Sequence, residues 1–171
     1  LDDDVEPEPD LLRAHVAIHS ENATLDALGT LRPVVVENGF FGIALRGWWE
    51  EMSEPVRELG HRYSCFDLLS GHVSIRRSNF NALGGFDSTL RCREDYEFGY
   101  RAIAAGLTFQ LVTAASASHH ETTDLSKAMC RKLDEGLADA IVSGLGLLTM
   151  PPSLQREIIR AAFQCLRADE V

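Results

Sequence analysis

Residues 70–106 carry three ordered segments: SGHVSIRR at 70–77, LGGFD at 83–87 and REDYEFGYR at 93–101. The first segment alternates apolar and polar residues, which predicts a strand. A short helix should follow and stop at the glycine pair Gly84-Gly85. After a loop, the third segment predicts an amphipathic helix that begins with acidic residues and ends at Gly106. The rest of the chain is placed around this order of elements.

Glu94 and Asp95 lie where the loop leads into that helix. At such a position, backbone N–H groups and the positive end of the helix dipole can keep a carboxylate ionised while it faces a ligand. The functional interpretation is a general base. The simpler interpretation is a pair of charges that complement the dipole, worth a few tenths to about 1 kcal/mol.

A second acidic cluster, Asp2-Asp3-Asp4, opens the chain, and His119-His120 follow the predicted strand 107–112. Three consecutive carboxylates are costly unless a cation neutralises them, and oxygen ligands suit Mg²⁺ or Mn²⁺. An acidic turn before a helix, and a histidine pair in a turn, are the simpler interpretations. We expect the two acidic clusters to meet in one site with His119 or His120.

Composition limits the classes of function. At 171 residues with 45% hydrophobic content, the chain can form one domain with a sizeable core. A net charge of −10 argues against a nucleic-acid partner, which needs clustered Lys and Arg. No apolar run approaches the roughly 20 residues that span a bilayer. We expect no transmembrane segment in this chain.

The cysteine spacing indicates the redox surroundings of the chain, and its first residues indicate that it is a fragment. Cys65, Cys92, Cys130 and Cys165 show no Cys-x-x-Cys spacing, so we expect reducing, cytosolic surroundings and buried thiols at Cys65 and Cys165. The chain starts on Leu1 ahead of three Asp residues. We therefore expect a fragment that begins at the end of a buried strand.

Local patterns predict the remaining elements. They are helices at 11–20, 40–59, 79–83 (capped by Ser78) and 124–148, strands at 24–31, 65–69, 73–77 and 107–112, and, after a hinge at 150–152, a last amphipathic helix capped by Ser153. His15 and His19 share a helix face, but Val16 stands where a zinc protease has Glu, so we interpret both histidines as surface residues. Trp48-Trp49 suit a platform for a sugar ring or, more simply, core or lid packing.

These motifs together resemble the inverting family 2 glycosyltransferases with the GT-A fold. The sequence LDDD at 1–4 is similar to their Asp-x-Asp motif, and SGHVSIRR, GGFD at 84–87 and Glu94-Asp95 are similar to their acceptor-side half, in the same order over residues 1–125. The resemblance implies an α/β fold: the C-terminal portion of a GT-A domain, with a mixed sheet and flanking helices. Residues 126–171 would then form a helical C-terminal extension. The family's nucleotide-binding half precedes the Asp-x-Asp motif.

The resemblance also implies roles for individual residues. The donor, a nucleotide-diphospho-sugar, would contact Asp2 and Asp3. Asp4, with Asp2, would bind Mn²⁺ or Mg²⁺ together with His119, in preference to His120. Asp95 would be the catalytic base. The acceptor, a saccharide, lipid-linked or protein hydroxyl, would lie against Gly71, His72, Glu94, Trp48 and Trp49. The Gln-x-x-Arg-Trp motif of processive polysaccharide synthases is not found in this sequence, which favours transfer of single sugars. The resemblance also implies a cytoplasmic protein, or one that is peripheral to the membrane.

Two other classes of function remain open from the residues. A binding module that kept the fold but lost catalysis would carry the same motifs. A metal-dependent phosphoryl-transfer enzyme could also use an acidic loop with a nearby carboxylate, although the chain has no Gly-x-x-x-x-Gly-Lys phosphate loop. Turnover of nucleotide sugars would separate these classes.

Overall fold

The structure, a computed structural model, describes residues 1–22 and 24–144. In this part the chain is an α/β protein with one mixed four-stranded sheet and helices packed around it. The elements are β1 (Val5–Pro7), α1 (Leu11–Glu21), β2 (Leu25–Val35), α2 (Phe40–Ser53), β3 (Val73–Ser74), α3 (Arg77–Ala82), α4 (Glu94–Ala104), β4 (Thr108–Glu121) and α5 (Leu125–Gly144). The hinge and last helix predicted beyond residue 148 lie outside the described residues.

The sheet has the strand order β1-β4-β2-β3. Its two long strands, β2 and β4, run parallel, whereas β1 and β3 pair antiparallel at the two edges. The register of the central pair shifts between Gly29 and Thr30, where β4 carries extra residues at 113–115. Beyond this irregularity β4 continues to Glu121 and pairs with β1, which brings the first residues of the chain beside His119.

Three apolar clusters hold the elements together. The largest joins Leu28 and Phe109 of the sheet to Phe98 and Ala102 of α4, and includes Leu68. A second lies between α1, β1 and β4. The third, Leu90 with Ala138 and Val142, packs the loop before α4 against α5. The helix that carries Glu94 and Asp95 is therefore packed on the sheet, and the loop that leads into it is packed on α5.

Several predicted elements are confirmed. Helix α1 and helix α4 have nearly the predicted bounds, and α4 is followed by Gly106 in the left-handed conformation at φ 84°. The glycine pair after α3 also has positive φ, 83° at Gly84 and 74° at Gly85, as its predicted stop requires. Strands β2 and β4 are longer than predicted, and α5 passes through Gly136 without interruption.

Three local predictions were wrong. Residues 65–69 are not a strand: Cys65–Asp67 form a 3₁₀ turn, because Ser64 accepts a hydrogen bond from the Phe66 N–H and Asp67 accepts one from the Ser64 N–H. Ser78 does not cap α3, which starts one residue earlier at Arg77. Within the segment 70–77 only Val73–Ser74 form a strand, since Ser70–His72 form another 3₁₀ turn and Arg77 already begins α3.

Candidate active site

A cavity of about 630 Å³ opens at the end of the sheet where β1 and β4 meet. Its walls come from distant parts of the chain: the acidic N-terminal turn, α2, the turn at Ser70–His72, the start of α4, the end of β4, and α5. Most of the predicted site residues line it, namely Asp2, Asp4, Trp48, Trp49, Gly71, Glu94, Asp95 and His119. The structure therefore brings the two acidic clusters and His119 to one cavity.

Asp4 and His119 form the closest pair of possible metal ligands in this cavity. Asp4 Oδ1 lies 3.4 Å from His119 Nε2, because the Asp4 carbonyl accepts a hydrogen bond from the His120 N–H and Val5 pairs with His119 across β1 and β4. Asp4 Oδ1 and His119 Nδ1 are both buried and have no hydrogen-bond partner among the described residues. The Trp49 ring packs on His119 with a centroid separation of 4.9 Å.

Glu121 lies behind His119, with Oε2 4.0 Å from His119 Nδ1. Burial by itself would raise the pKa of Glu121, but hydrogen bonds from Thr123 and the charge of His119 bring that pKa below its ordinary value. Glu121 is therefore an ionised carboxylate that lies near the imidazole but too far from Nδ1 for a hydrogen bond. Glu121 was not among the predicted site residues, although it directly follows His119-His120.

Asp4, His119 and Glu121 do not by themselves form a complete metal site. Within residues 1–22 and 24–144, no group of three His, Cys, Asp or Glu side chains converges closely enough to hold an ion. Asp4 Oδ1 and His119 Nε2, which lie 3.4 Å apart, are nevertheless close enough to be adjacent ligands of Mg²⁺ or Mn²⁺, since such ions commonly use one or two protein ligands and complete their shell with substrate phosphates and water. A metal could thus be held by Asp4 and His119 only together with such further oxygens.

Asp95 faces the cavity from the first turn of α4. Its Oδ1 accepts a hydrogen bond from the Tyr96 N–H at 2.8 Å, and its Oδ2 accepts one from the Ser70 N–H at 3.4 Å. Burial raises the pKa of Asp95, the neighbouring charge of Glu94 adds to the increase, and the two N–H groups and Arg93 oppose it. We expected the helix terminus to dominate, but burial is the larger effect and makes this carboxylate a stronger base.

Asp2 and Gly71 make a close approach at the floor of the cavity. A Cβ atom built on Gly71 would lie 3.1 Å from Asp2 Oδ2 and 3.7 Å from a Leu31 methyl carbon. The absence of a side chain at residue 71 thus leaves room for the Asp2 carboxylate. Asp3, by contrast, is exposed in the N-terminal turn and does not line the cavity.

His72 and His120 do not belong to this site. The His72 side chain is buried on the other side of its turn, where Nε2 lies 3.1 Å from His15 Nε2. His120 points away from His119 and bonds the exposed carboxylate of Glu6 at 3.0 Å, as expected for adjacent residues of a strand. The placement of His72 among the acceptor-side residues and of His120 among the metal ligands was therefore wrong.

The interpretation of His15 and His19 as surface residues was also wrong. His15 is buried, and its Nδ1 lies 2.7 Å from the Ser74 hydroxyl, which in turn lies 2.8 Å from His19 Nε2. The spacing of four residues puts both imidazoles on the face of α1 that covers β3. They hold the helix to the strand that follows the Ser70–His72 turn.

The two tryptophans divide between packing and exposure. Trp49 is buried and packs edge-to-face against Trp48, with ring centroids 5.1 Å apart. Trp48 remains 42% exposed and lines the cavity. Core packing thus describes Trp49, and only Trp48 offers a ring face to a ligand. A smaller cavity of about 60 Å³ lies beyond Trp49, between α2 and β2.

Helix α5 forms one wall of the cavity. The sequence had predicted residues 126–171 as a helical extension outside the site. Arg93 adopts the left-handed conformation at φ 65° just before α4 and forms ion pairs with Glu135 at 3.0 Å and Asp139 at 3.2 Å. These pairs fix α5 beside the first turn of α4, which carries Asp95. Arg93 was missed because neither its conformation nor its distant partners leave a local sequence signal.

The comparisons with known proteins leave the family open. Neither the family models nor the curated proteins compared with this chain gave a significant match. Among the described residues, no helix is both long and apolar enough to cross a membrane.

Proposed function

We propose that this chain provides the acceptor and metal side of an inverting glycosyltransferase that uses a nucleotide-diphospho-sugar. The single observation that carries the proposal is the shared cavity, in which Asp4 and His119 lie with Asp95. Asp4 lies near the start of the sequence, whereas Asp95 and His119 follow it by more than ninety residues. The order of the motifs that resemble family 2 enzymes supports the same reading.

The size and lining of the cavity suit this substrate class. A volume of about 630 Å³ lies in the range of ligand sites and can accommodate a sugar with its phosphates. Trp48 offers a half-exposed ring face against which a pyranose could stack. Gly71 leaves space for Asp2, whose carboxylate can accept hydrogen bonds from donor hydroxyls.

Asp95 is the base of the proposed reaction. The N–H groups of Ser70 and Tyr96 fix the direction of its carboxylate, and its raised pKa increases its affinity for a proton. Asp95 would take the proton of an acceptor hydroxyl while that oxygen forms a bond to the anomeric carbon. The bond from this carbon to the diphosphate breaks in the same step, and the electron pair leaves with the diphosphate. A single displacement of this kind inverts the anomeric configuration.

The leaving diphosphate needs charge stabilisation on the opposite side of the sugar. A Mg²⁺ or Mn²⁺ ion, if held by Asp4 and His119, would supply Lewis-acid neutralisation of the phosphate oxygens. The negative charge of Glu121, 4.0 Å from His119 Nδ1, would add to the negative potential at this end of the cavity. Trp49, packed on the same ring, would keep water from that side of the imidazole.

The direct test is turnover by the full-length protein with a panel of nucleotide sugars, with Mn²⁺ or with a chelator. We expect metal-dependent release of nucleoside diphosphate, and inverted product by NMR. Asp4→Ala should abolish this activity, whereas Asp3→Ala, in the same turn but outside the cavity, is the matched control. Binding of donor without turnover would instead indicate a binding module, and phosphate release without sugar transfer would indicate phosphoryl transfer.

A further inference from the structure

Arg93 adopts a backbone conformation that its residue type disfavours. Among the described residues it is the one non-glycine residue with positive φ, at 65°, and its carbonyl accepts the hydrogen bond from the Glu97 N–H that begins α4. A left-handed conformation costs free energy for any residue with a Cβ atom, whereas glycine adopts it freely. Glycine would serve the backbone of this junction better, so the arginine indicates a role for its side chain.

Two carboxylates of α5 receive the Arg93 guanidinium. Arg93 Nη2 donates a hydrogen bond to Glu135 Oε2 at 3.0 Å, and Arg93 Nε lies 3.2 Å from Asp139 Oδ1. Glu135 and Asp139 are both buried and stand four residues apart on one face of α5, where two like charges repel each other. The guanidinium offsets this repulsion and reaches both carboxylates because its nitrogens form a fork, which the single ammonium of lysine lacks.

Asp139 depends on Arg93 more than Glu135 does. Glu135 also has Lys132 Nζ at 2.7 Å and Arg131 Nε at 3.4 Å. For Asp139, Arg93 is the one cation within ion-pair distance in the part of the chain that the structure describes. Burial raises the pKa of Asp139, and the charge of Arg93 opposes that increase. The buried end of this pair therefore ties α5 to the junction before α4.

The same guanidinium packs on the residue that orients Asp95. Arg93 Cζ lies 4.8 Å from the centroid of the Tyr96 ring, in a cation–π contact, and Phe66 packs edge-to-face against that ring at a centroid separation of 5.4 Å. The Tyr96 N–H donates the 2.8 Å hydrogen bond to Asp95 Oδ1. Contacts that restrain Tyr96 thus also restrain the direction of the Asp95 carboxylate.

We propose that Arg93 is a positioning residue for Asp95, whose side chain locks the first turn of α4 to α5 and so keeps the carboxylate directed into the cavity. This inference rests on the function proposed above, in which Asp95 is the base. A displacement of about 1 Å can lower the rate of a reaction by about a hundredfold. Arg93 therefore affects the chemical step through Asp95, and donor binding much less.

Arg93→Ala and Arg93→Gly test the side chain in the full-length protein. Both variants remove the guanidinium, and the glycine also removes the backbone strain. We expect each to lower kcat by about tenfold to a hundredfold, while KM for the nucleotide sugar changes by less than about threefold. A wild-type kcat in Arg93→Gly would show that only the backbone turn matters, and would overturn the inference.

Two further variants separate the link between the helices from a general effect of charge. Arg93→Lys keeps the charge but not the fork, so we expect it to recover part of the turnover that Arg93→Ala loses. Lys132→Ala is the matched control, because Lys132 binds the same Glu135 carboxylate from within α5. It should retain the wild-type kcat. An equal fall in Lys132→Ala and Arg93→Ala would overturn the inference.

Amide hydrogen exchange distinguishes a failure of this inference from a failure of the proposed function, since it needs no substrate. In Arg93→Gly the Tyr96 N–H should exchange at least about tenfold faster than in the wild type, while amides of α1 keep their rates. Faster exchange at Tyr96 in a protein that transfers no sugar would contradict the proposed function alone. Unchanged exchange at Tyr96, or equal acceleration in α1, would overturn the positioning role whether or not sugar is transferred.

Discussion

Two imidazoles meet in the interior of this protein at His15 and His72. Their Nε2 atoms lie 3.1 Å apart, so the pair can share one hydrogen but cannot hold a hydrogen on both nitrogens. Burial lowers the pKa of His72 to about 4, with a smaller contribution from His15. Burial also lowers the pKa of His15, and the charge of the neighbouring His19 lowers that pKa further. Both rings are therefore neutral in the folded protein near neutral pH.

This pair makes stability depend on pH. In the unfolded chain a histidine binds its proton near pH 6.5, whereas His72 in the folded chain does so only near pH 4. The unfolded state thus binds more protons between these values, and the free energy of unfolding should fall as pH drops from 6.5 to 4. The shift corresponds to roughly 3 kcal/mol for His72. Urea unfolding at several pH values measures it, and His72→Gln should flatten this slope; a wild-type slope in that variant would contradict the assignment.

His119 and His120 differ although they are adjacent. The first lies beside Asp4 in the cavity, and the second bonds Glu6 on the outside. His119→Ala should lower Mn²⁺ affinity and turnover of the full-length protein by at least about tenfold, because loss of a ligand costs no less than loss of its supporting residues. His120→Ala is the control and should retain both. Equal losses in calorimetry and steady-state rates would remove His119 from the proposed site.

The sequence indicated which side chains can do chemistry, but it did not indicate which of them are buried by residues distant in the sequence. The alternation along a strand separated His119 from His120, because side-chain direction is local. The burial of His15 and His72 was not predictable, since each is covered by the other from 57 positions away. The raised pKa of Asp95 likewise depends on burial by residues that are distant in the sequence.

At the scale of elements, Gly29 decides how closely the Ser70–His72 turn approaches β2. A Cβ atom at residue 29 would lie 2.0–2.4 Å from three atoms of the His72 ring. This glycine stands at the irregular register between β2 and β4. Its lack of a side chain therefore permits the contact that anchors the turn and, with it, the Ser70 N–H that binds Asp95.

Gly29→Ala and Gly47→Ala form a matched pair that tests this packing. Gly29→Ala should lower the free energy of unfolding by about 1–3 kcal/mol or more, because the ring must shift in a filled interior. Gly47 lies inside α2, where an added Cβ meets no described atom within 4 Å. Gly47→Ala should leave stability unchanged or raise it by up to about 1 kcal/mol. A neutral Gly29→Ala in denaturant titrations would show that the turn is not packed this closely.

Elements with strong local signals were predicted, and those set by partners were not. Helix α4 was predicted from its acidic first turn and from Gly106, which are local features. Strand β1 was missed because Val5–Pro7 is short and contains proline, and it is extended only through its pairing with β4. The turn at Cys65–Asp67 was read as a strand because its apolar residues outweighed the less obvious capping signal of Ser64 and Asp67.

At the scale of the whole molecule, one cavity unites parts of the chain separated by more than a hundred residues. The parallel pairing of β2 and β4 carries the end of β4 to the N-terminal turn. Arg93 then closes the opposite wall by holding α5. The order of motifs predicted the meeting of Asp4, Asp95 and His119, whereas the contribution of α5 depends on long-range ion pairs that no local pattern reveals.

The substitution Asp95→Asn directly tests the proposed role of Asp95 as the base of sugar transfer in this cavity. Asparagine preserves the shape and can still accept the 2.8 Å hydrogen bond from the Tyr96 N–H, but it loses the longer bond from the Ser70 N–H and cannot take a proton. Because burial raises the pKa of Asp95 above its ordinary value, the charge of this carboxylate does not stabilise the folded protein. The substitution should therefore lower the free energy of unfolding by no more than about 1 kcal/mol, the worth of the lost Ser70 hydrogen bond, and a large loss of activity would not reflect unfolding.

The measurement is steady-state transfer from a nucleotide sugar by the full-length protein and its Asp95→Asn and Glu94→Gln variants, with donor affinity determined alongside. We expect Asp95→Asn to lower turnover by roughly 10²–10⁴ while donor and metal binding persist, and Glu94→Gln to have a much smaller effect. Near-normal turnover by Asp95→Asn, at unchanged stability, would contradict it.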